Sequence, residues 1–324
     1  MASPQEILAW EAEHRQRAAI ASIAAAVLTI GGVLLTTLGQ PSSGQFDDKI
    51  LTVVDTMSRT AAGQPIPPGR IAAYTLEVGK DPALPIVGAL LFALGSVAIY
   101  FVMAYLFRAT RARRPELQQV ALIMAAVGAV GFGAGRAVSE IARYVGAAGF
   151  VDAADHTNSA ATDALSPPIS LIGQVIWQVA ALALGFAFVL IALNAMRVGL
   201  LTRFMGVLGI IVGVTFVLPL DQQGIIRVFW LGALGFLILG RWPNVPAAWA
   251  TGEAQPWPSQ QQLREQRAAA RGGGEEAPDA RPARREPTAA KAPPPAPPKP
   301  RRPDAAAAGT EHATSKKKKR KRRF

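Results

Sequence analysis

The charged and amide side chains of two apolar segments are the residues of this sequence best placed to do chemistry. Arg136, Glu140 and Arg143 follow one another at spacings of four and three residues, so one face of a helix would carry all three. Guanidinium groups bind anions, and a neighbouring carboxylate neutralises part of their charge. Gln174 and Gln178 are four residues apart in the next apolar segment, a spacing suited to hydrogen bonds between helices. These five residues form the predicted polar cluster.

Several common chemistries lack their residues in this chain. It has no cysteine, which excludes disulfides, thiolate metal sites, iron–sulfur clusters and cysteine nucleophiles. Its three histidines are far apart in sequence, and no H-E-x-x-H or G-x-S-x-G motif occurs. We therefore predict no catalytic, cofactor-binding or metal-binding residues, and we expect that the protein is not an enzyme.

The polar cluster lies in a chain with the composition of a membrane protein. Half of the 324 residues are hydrophobic and 17% are charged, against about 25% charged residues in a soluble domain. A helix needs about 20 apolar residues to cross roughly 30 Å of hydrocarbon. Six apolar windows approach or exceed this length: about 19–38, 83–107, 117–137, 168–196, 204–220 and 224–241. The sequence thus predicts an all-α bundle of about six transmembrane helices within residues 18–241.

The sixth window is the least regular because it contains a charge, Arg227, close to its start. A long arginine side chain can extend from the end of a helix to the membrane interface, and we expect this of Arg227. The alternative for this window is a re-entrant hairpin.

Arginines in the short connections predict the orientation, because basic loops stay in the cytoplasm. They follow the second, fourth and sixth windows: Arg108, Arg111, Arg113, Arg114, Arg197, Arg203 and Arg241. All of these arginines lie on the cytoplasmic side if the chain crosses the membrane six times and both termini are cytoplasmic. We therefore expect a plasma-membrane protein with a cytoplasmic N-terminal segment, residues 1–17, an extracytoplasmic loop, residues 39–82, and a cytoplasmic tail, residues 242–324.

The extracytoplasmic loop contains apolar positions at helical spacing: Phe46, Ile50, Val53, Val54 and Met57. Asp47 and Asp48 precede them and Arg59 follows, as the helix dipole prefers. We predict a short amphipathic helix on the outer membrane face or capping the bundle. A solvated loop with chance periodicity is the alternative.

Pairs of glycines four residues apart indicate close helix contact in two of the spans. Gly131 and Gly135 form such a pair in the third span, and Gly209 and Gly213 in the fifth. The glycine-rich run before Arg136 lacks the spacing and the preceding strand of a phosphate-binding loop.

Most of the net charge lies in the tail. After position 241 there are 18 basic and 8 acidic residues, which accounts for ten of the twelve net positive charges. Its Pro- and Ala-rich composition predicts disorder. The tail ends in eight consecutive basic residues: Lys316, Lys317, Lys318, Lys319, Arg320, Lys321, Arg322 and Arg323.

Each basic residue near an anionic leaflet gains about 1 kcal/mol, so we expect the polybasic run to contact anionic lipid head groups or an acidic protein. Nucleic acid is an alternative partner, because such a run binds phosphate backbones without sequence preference. A charged end that only increases solubility is a further alternative.

The segment from Asn194 to Gly209 contains Arg197, Gly199 and Arg203. It resembles a helix–turn–helix segment of uncharacterised bacterial multi-pass membrane proteins of unknown function. The resemblance covers about 16 residues. It implies a small helical bundle in the plasma membrane and no assigned chemistry.

Two functions are favoured over a third, a membrane enzyme, for which Glu140 is the one carboxylate near the membrane's edge. The first is a non-enzymatic membrane protein, structural or regulatory, in which the polar cluster is an ion-pair ladder and the tail is the contact element. The second is a small-solute transporter or channel that uses Arg136 and Glu140 with Gln174 and Gln178. The chain shows no clear internal repeat and no acidic residue deep in a span, which favours the first function.

Overall fold

The computed structural model describes residues 3–42, 45–46, 52–218, 220–221 and 223–257, and five residues between 262 and 269. The chain divides into residues 1–266 and residues 267–324, and the helices described below all belong to the first unit. The described residues contain helices and no strand, which confirms the all-α class. The polybasic run Lys316–Arg323 and most of the predicted disordered tail, residues 242–324, lie outside the described residues.

The described residues form ten helices. They are α1 (Pro4–Leu38), α2 (Val53–Ala61), α3 (Arg70–Lys80), α4 (Ala83–Arg113), α5 (Val120–Val151), α6 (Asn158–Leu165), α7 (Pro168–Arg197), α8 (Arg203–Val217), α9 (Ile225–Ile238) and α10 (Ala248–Thr251). Four of them, α1, α4, α5 and α7, are long and apolar enough to cross a membrane. The chain therefore has the helices of a membrane protein.

The fifth and sixth predicted spans, 204–220 and 224–241, correspond to the shorter apolar helices α8 and α9. With 15 and 14 residues, these helices measure about 22 and 21 Å, less than the roughly 30 Å of hydrocarbon. They form a hairpin that packs between α7 and α1. The structure thus has four long helices and one short hairpin where the sequence predicts six spans.

The long helices extend beyond their predicted spans. Helix α1 begins at Pro4, where Ser3 and Glu6 form a capping box, so most of the predicted N-terminal segment 1–17 continues the first helix. Helix α5 continues to Val151, well past the predicted end of the third span at residue 137.

Glycines bring the long helices into backbone contact. A Cβ at Gly135 would lie 2.5 Å from the Trp177 nitrogen and 2.7 Å from the Gly173 oxygen, so α5 and α7 pack backbone to backbone there. A Cβ at Gly213 would lie 2.7 Å from the Gly185 oxygen, which joins α8 to α7 in the same way. The interpretation of the paired glycines as packing positions is confirmed at these two sites.

The loop 39–82 contains two helices, α2 and α3, where the sequence predicts one. Helix α2 begins at Val53 rather than near Phe46, because Thr52 and Asp55 form a capping box at that point. The hydrogen bond from the Thr52 hydroxyl holds the pKa of Asp55 below its usual value. Asp47, Asp48 and Ile50 lie outside the described residues.

Helices α3 and α6 pack on the C-terminal part of α5. Ala72 and Ala161 enclose Phe150, and Val78 packs on Tyr144. This part of the molecule is called the α3–α6 end. The opposite end, where α4 joins α5 and α7 joins α8, is called the basic end because it carries the arginines of the connections.

The first residues of the predicted tail pack against the basic end. The Nε1 atoms of Trp249 and Trp257 donate hydrogen bonds to the carbonyls of Leu200 and Leu201, at 2.8 and 2.9 Å. These indole groups bind the α7–α8 connection. The described part of the tail, residues 242–257, is therefore attached to the bundle.

Candidate functional site

A cavity of about 350 Å³ lies between α5, α7 and the α8–α9 hairpin. Its volume is at the lower end of the range typical of small-molecule sites. Its polar lining consists of Arg136, Trp177, Gln178, Thr215, Asp221 and Arg227. Its apolar lining consists of Phe132, Val179, Ala181, Leu182, Phe216 and Val217.

Two arginines from different helices meet at this cavity. The guanidinium carbon of Arg136 lies 4.3 Å from the centre of the Phe92 ring, and that of Arg227 lies 5.7 Å from the same centre. The ring faces stabilise the cations, but the two like charges repel each other across a poorly solvated space. This pair of cations is the main electrostatic feature of the cavity.

Arg227 lies inside the bundle, with 7% of the residue exposed. Its guanidinium carbon also lies 4.9 Å from the Phe216 ring centre and 5.4 Å from that of Phe132. Arg227 therefore points into the bundle, whereas the sequence predicts that its side chain extends outward from the end of the helix. Phe216 of α8 and Arg227 of α9 both contact the Phe132 ring of α5, so the guanidinium group lies among aromatic side chains.

The turn before α9 makes room for this arginine. Gly224 has φ +71°, and the Nη2 atom of Arg227 occupies the space where a Cβ at Gly224 would lie. A side chain at this position would meet both a strained backbone and the guanidinium group. Glycine at position 224 therefore allows Arg227 to fold back over the turn into the cavity.

The carboxylate in the cavity lining, that of Asp221, accepts hydrogen bonds from backbone amides. Its Oδ2 atom accepts hydrogen bonds from the amides of Ile226 and Arg227, at 3.1 and 3.3 Å, and so caps the start of α9. Within the described part of the chain, neither Arg136 nor Arg227 forms an ion pair with a carboxylate. The cavity therefore has two cationic side chains and one carboxylate.

Two buried N–H groups at the cavity have no hydrogen-bond acceptor among the described residues. They are Nε1 of Trp177 and Nε of Arg227. A buried donor without a partner costs about 1–3 kcal/mol, and more when it is charged. Both groups belong to residues that line the cavity, so an acceptor bound there could satisfy them.

The predicted polar cluster is divided in the structure. Arg136 and Gln178, two of the four residues of the predicted solute pathway, line the cavity. Glu140 instead pairs with Arg143 at 3.5 Å, as the ladder interpretation requires, and neither lines the cavity. Gln174 is exposed and lies outside the cavity lining.

Sequence reasoning missed Arg227, Trp177 and Asp221 as members of one site. Arg227 did give a signal, because it is the one charge of the sixth apolar window that does not lie at its end, where Arg241 follows. A charge in such a segment usually faces the bundle interior. No sequence pattern indicated that Trp177 would lack a partner, because this depends on how α5 crosses α7.

Within the described residues, no group of His, Asp and Glu side chains could hold a metal ion. Comparisons with known protein families, with curated proteins and with solved structures found no match for this chain.

Proposed function

We propose that this protein is a non-enzymatic, multi-pass plasma-membrane protein that binds an anionic ligand between Arg136 and Arg227. The observation that carries the proposal is the burial of Arg227 at a cavity shared with a second arginine, with no carboxylate of the described residues paired to either guanidinium. In this proposal the α8–α9 hairpin supplies the fifth and sixth membrane crossings, and both termini are cytoplasmic.

An anion in the cavity would remove the main electrostatic cost of the arrangement. Removing a charged group from water is expensive unless the group is paired, and here two cations lie near one ring. A phosphate or carboxylate would accept charge-assisted hydrogen bonds from both arginines. It could also accept a hydrogen bond from Nε1 of Trp177, which has no acceptor in the described part of the chain.

Binding is favoured over passage through the bundle. Leu184, Phe188 and Trp230 are fully buried and fill the bundle between the cavity and the basic end. A solute would have to displace these side chains to cross. Transport remains the second candidate, supported by the presence of Arg136 and Gln178, two of its four proposed residues, in one cavity lining.

The polybasic run supplies a second contact in the proposal. Lys316–Arg323 would bind anionic lipid head groups or an acidic protein at the cytoplasmic face, with nucleic acid as the alternative partner. The attachment of residues 242–257 to the basic end supports this proposal, because in the proposed orientation the tail would start beside the inner leaflet.

Anion binding is tested by thermal unfolding of the full chain in a non-ionic detergent. We expect inorganic phosphate or phosphatidylglycerol to raise the unfolding temperature, because a ligand at a hundred times its Kd stabilises a protein by about 2.7 kcal/mol. Substitution of Arg136→Gln or Arg227→Gln should weaken binding at least about tenfold, since each removes a charge-assisted hydrogen bond.

Arg197→Gln is the matched control, because it removes the same charge from an exposed position on α7. It should leave the stabilisation unchanged. If Arg227→Gln folds poorly, Arg136→Gln alone tests the anion site. We expect this variant to fold, because Arg136 is only partly buried. The proposal fails if neither anion stabilises the wild-type chain, or if both arginine variants respond as the wild type does.

A further inference from the structure

The rim of the cavity is apolar and faces outward. Val179, Leu182 and Val217 line the cavity and are 63%, 45% and 40% exposed. These side chains belong to α7 and α8, and the outward faces of both helices would contact lipid chains in a membrane. The cavity therefore has a side opening between α7 and α8 towards the hydrocarbon.

The opening lies nearer the α3–α6 end than the basic end. At a rise of 1.5 Å per residue, Gln178 is about 15 Å from Pro168 and about 28 Å from Arg197 along α7. A lipid from the leaflet at the α3–α6 end could reach it by moving its head group sideways, without crossing the bilayer.

We propose that the ligand of this cavity is a lipid with an anionic head group, which enters sideways between α7 and α8. The proposal rests on the anion site of the proposed function and names the class of molecule that fills it. The phosphate or carboxylate lies between Arg136 and Arg227 and accepts a hydrogen bond from Nε1 of Trp177. The acyl chain leaves the cavity over Val179 and Leu182.

The rim favours a lipid over a free anion. A hydrated anion would lose its water shell at an apolar opening before it reached the arginines, whereas a lipid brings its own apolar chain to that surface. The volume of about 350 Å³ suits a head group whose chain stays outside in the bilayer. Gln178 is exposed at the same rim and supplies an amide for the polar part of the head group.

The test uses the full chain in phosphatidylcholine nanodiscs that contain a small fraction of a lipid brominated at the 6,7 positions of its chain. Bromine quenches tryptophan fluorescence only at short range, and the difference between wild type and Trp177→Phe isolates the signal of Trp177. We expect brominated phosphatidylglycerol to quench this signal at least twofold more than brominated phosphatidylcholine. Arg136→Gln should abolish the difference.

A matched pair of substitutions tests the side opening. Val179 and Val175 are both 63% exposed and lie one turn apart on α7, but only Val179 lines the cavity. Val179→Phe should narrow the opening and remove the selective quenching, whereas Val175→Phe should leave it intact. Equal effects of the two substitutions would overturn the side entry.

Soluble glycerol phosphate, which has the charge but no chain, separates the two proposals. We expect it to compete with brominated phosphatidylglycerol only weakly, because it lacks the chain contacts. Arginine-dependent binding of glycerol phosphate without selective quenching by the lipid would overturn the lipid assignment and leave the anion site standing. The absence of arginine-dependent binding by either molecule would overturn both.

Discussion

At the scale of single residues, the basic end contains a second buried charge arrangement. Glu11 of α1 accepts hydrogen bonds from both terminal nitrogens of Arg113, and the two side chains are 5% and 0% exposed. Nη2 of Arg113 also donates to the carbonyl of Ala248 at 2.7 Å. Arg113 thus joins α4 to α1 and to the start of the tail. The number of positive charges in the cytoplasmic loops does not reveal this role.

Removal of this arginine is expected to destabilise the fold. Arg113→Gln should lower the free energy of unfolding by about 3–5 kcal/mol, because it leaves the Glu11 carboxylate buried without a cation. The measurement is reversible unfolding in mixed micelles, followed by tryptophan fluorescence.

The neighbouring arginine provides the control. Arg114 pairs with Glu116 at 3.3 Å in a solvated position, so Arg114→Gln should change the free energy by no more than about 1 kcal/mol. Similar losses for both variants would show that Arg113 acts by its general charge and not by its buried pair with Glu11.

At the scale of elements, the crossing of α5 and α7 positions the candidate site. Gly135 and Gly173 allow the two backbones to touch, and Arg136 and Trp177 lie beside this contact. Sequence spacing predicts the contact, because it marks small residues at intervals of one turn. It does not predict which α7 residues face Arg136, since this depends on the angle and rotation of two packed helices.

Alanine at the crossing should disturb both stability and the site. Gly135→Ala places a Cβ against the backbone of α7, where overpacking costs about 1–3 kcal/mol, and should displace Trp177 from the cavity. Thermal unfolding and the lipid-dependent quenching of Trp177 measure the two effects.

Gly149 lies on the same helix, and a Cβ added there would meet no described atom within 4 Å. Gly149→Ala should therefore stabilise the protein by up to about 1 kcal/mol, because alanine is the better helix former. A gain in stability for both variants would contradict the close contact of α5 and α7.

At the scale of the whole molecule, hydropathy predicts the all-α architecture and the four long helices, because both follow from the length of apolar runs. Hydropathy does not separate a long membrane-spanning helix from a pair of shorter apolar helices such as α8 and α9. For the same reason it placed Arg227 at the interface. Its burial depends on Phe92 and Phe132, which lie about 135 and 95 residues earlier in the chain.

The orientation of the α8–α9 hairpin is the most direct test of the proposed site, because this hairpin carries Arg227 into the cavity that Arg136 also lines. The chain has no cysteine, so single cysteines at exposed positions report the side of the membrane without background. We expect a membrane-impermeant maleimide to label Gln64→Cys and Gln223→Cys from one face and Gln118→Cys and Glu253→Cys from the other. Labelling of Gln223→Cys from the same face as Gln118→Cys would contradict the account.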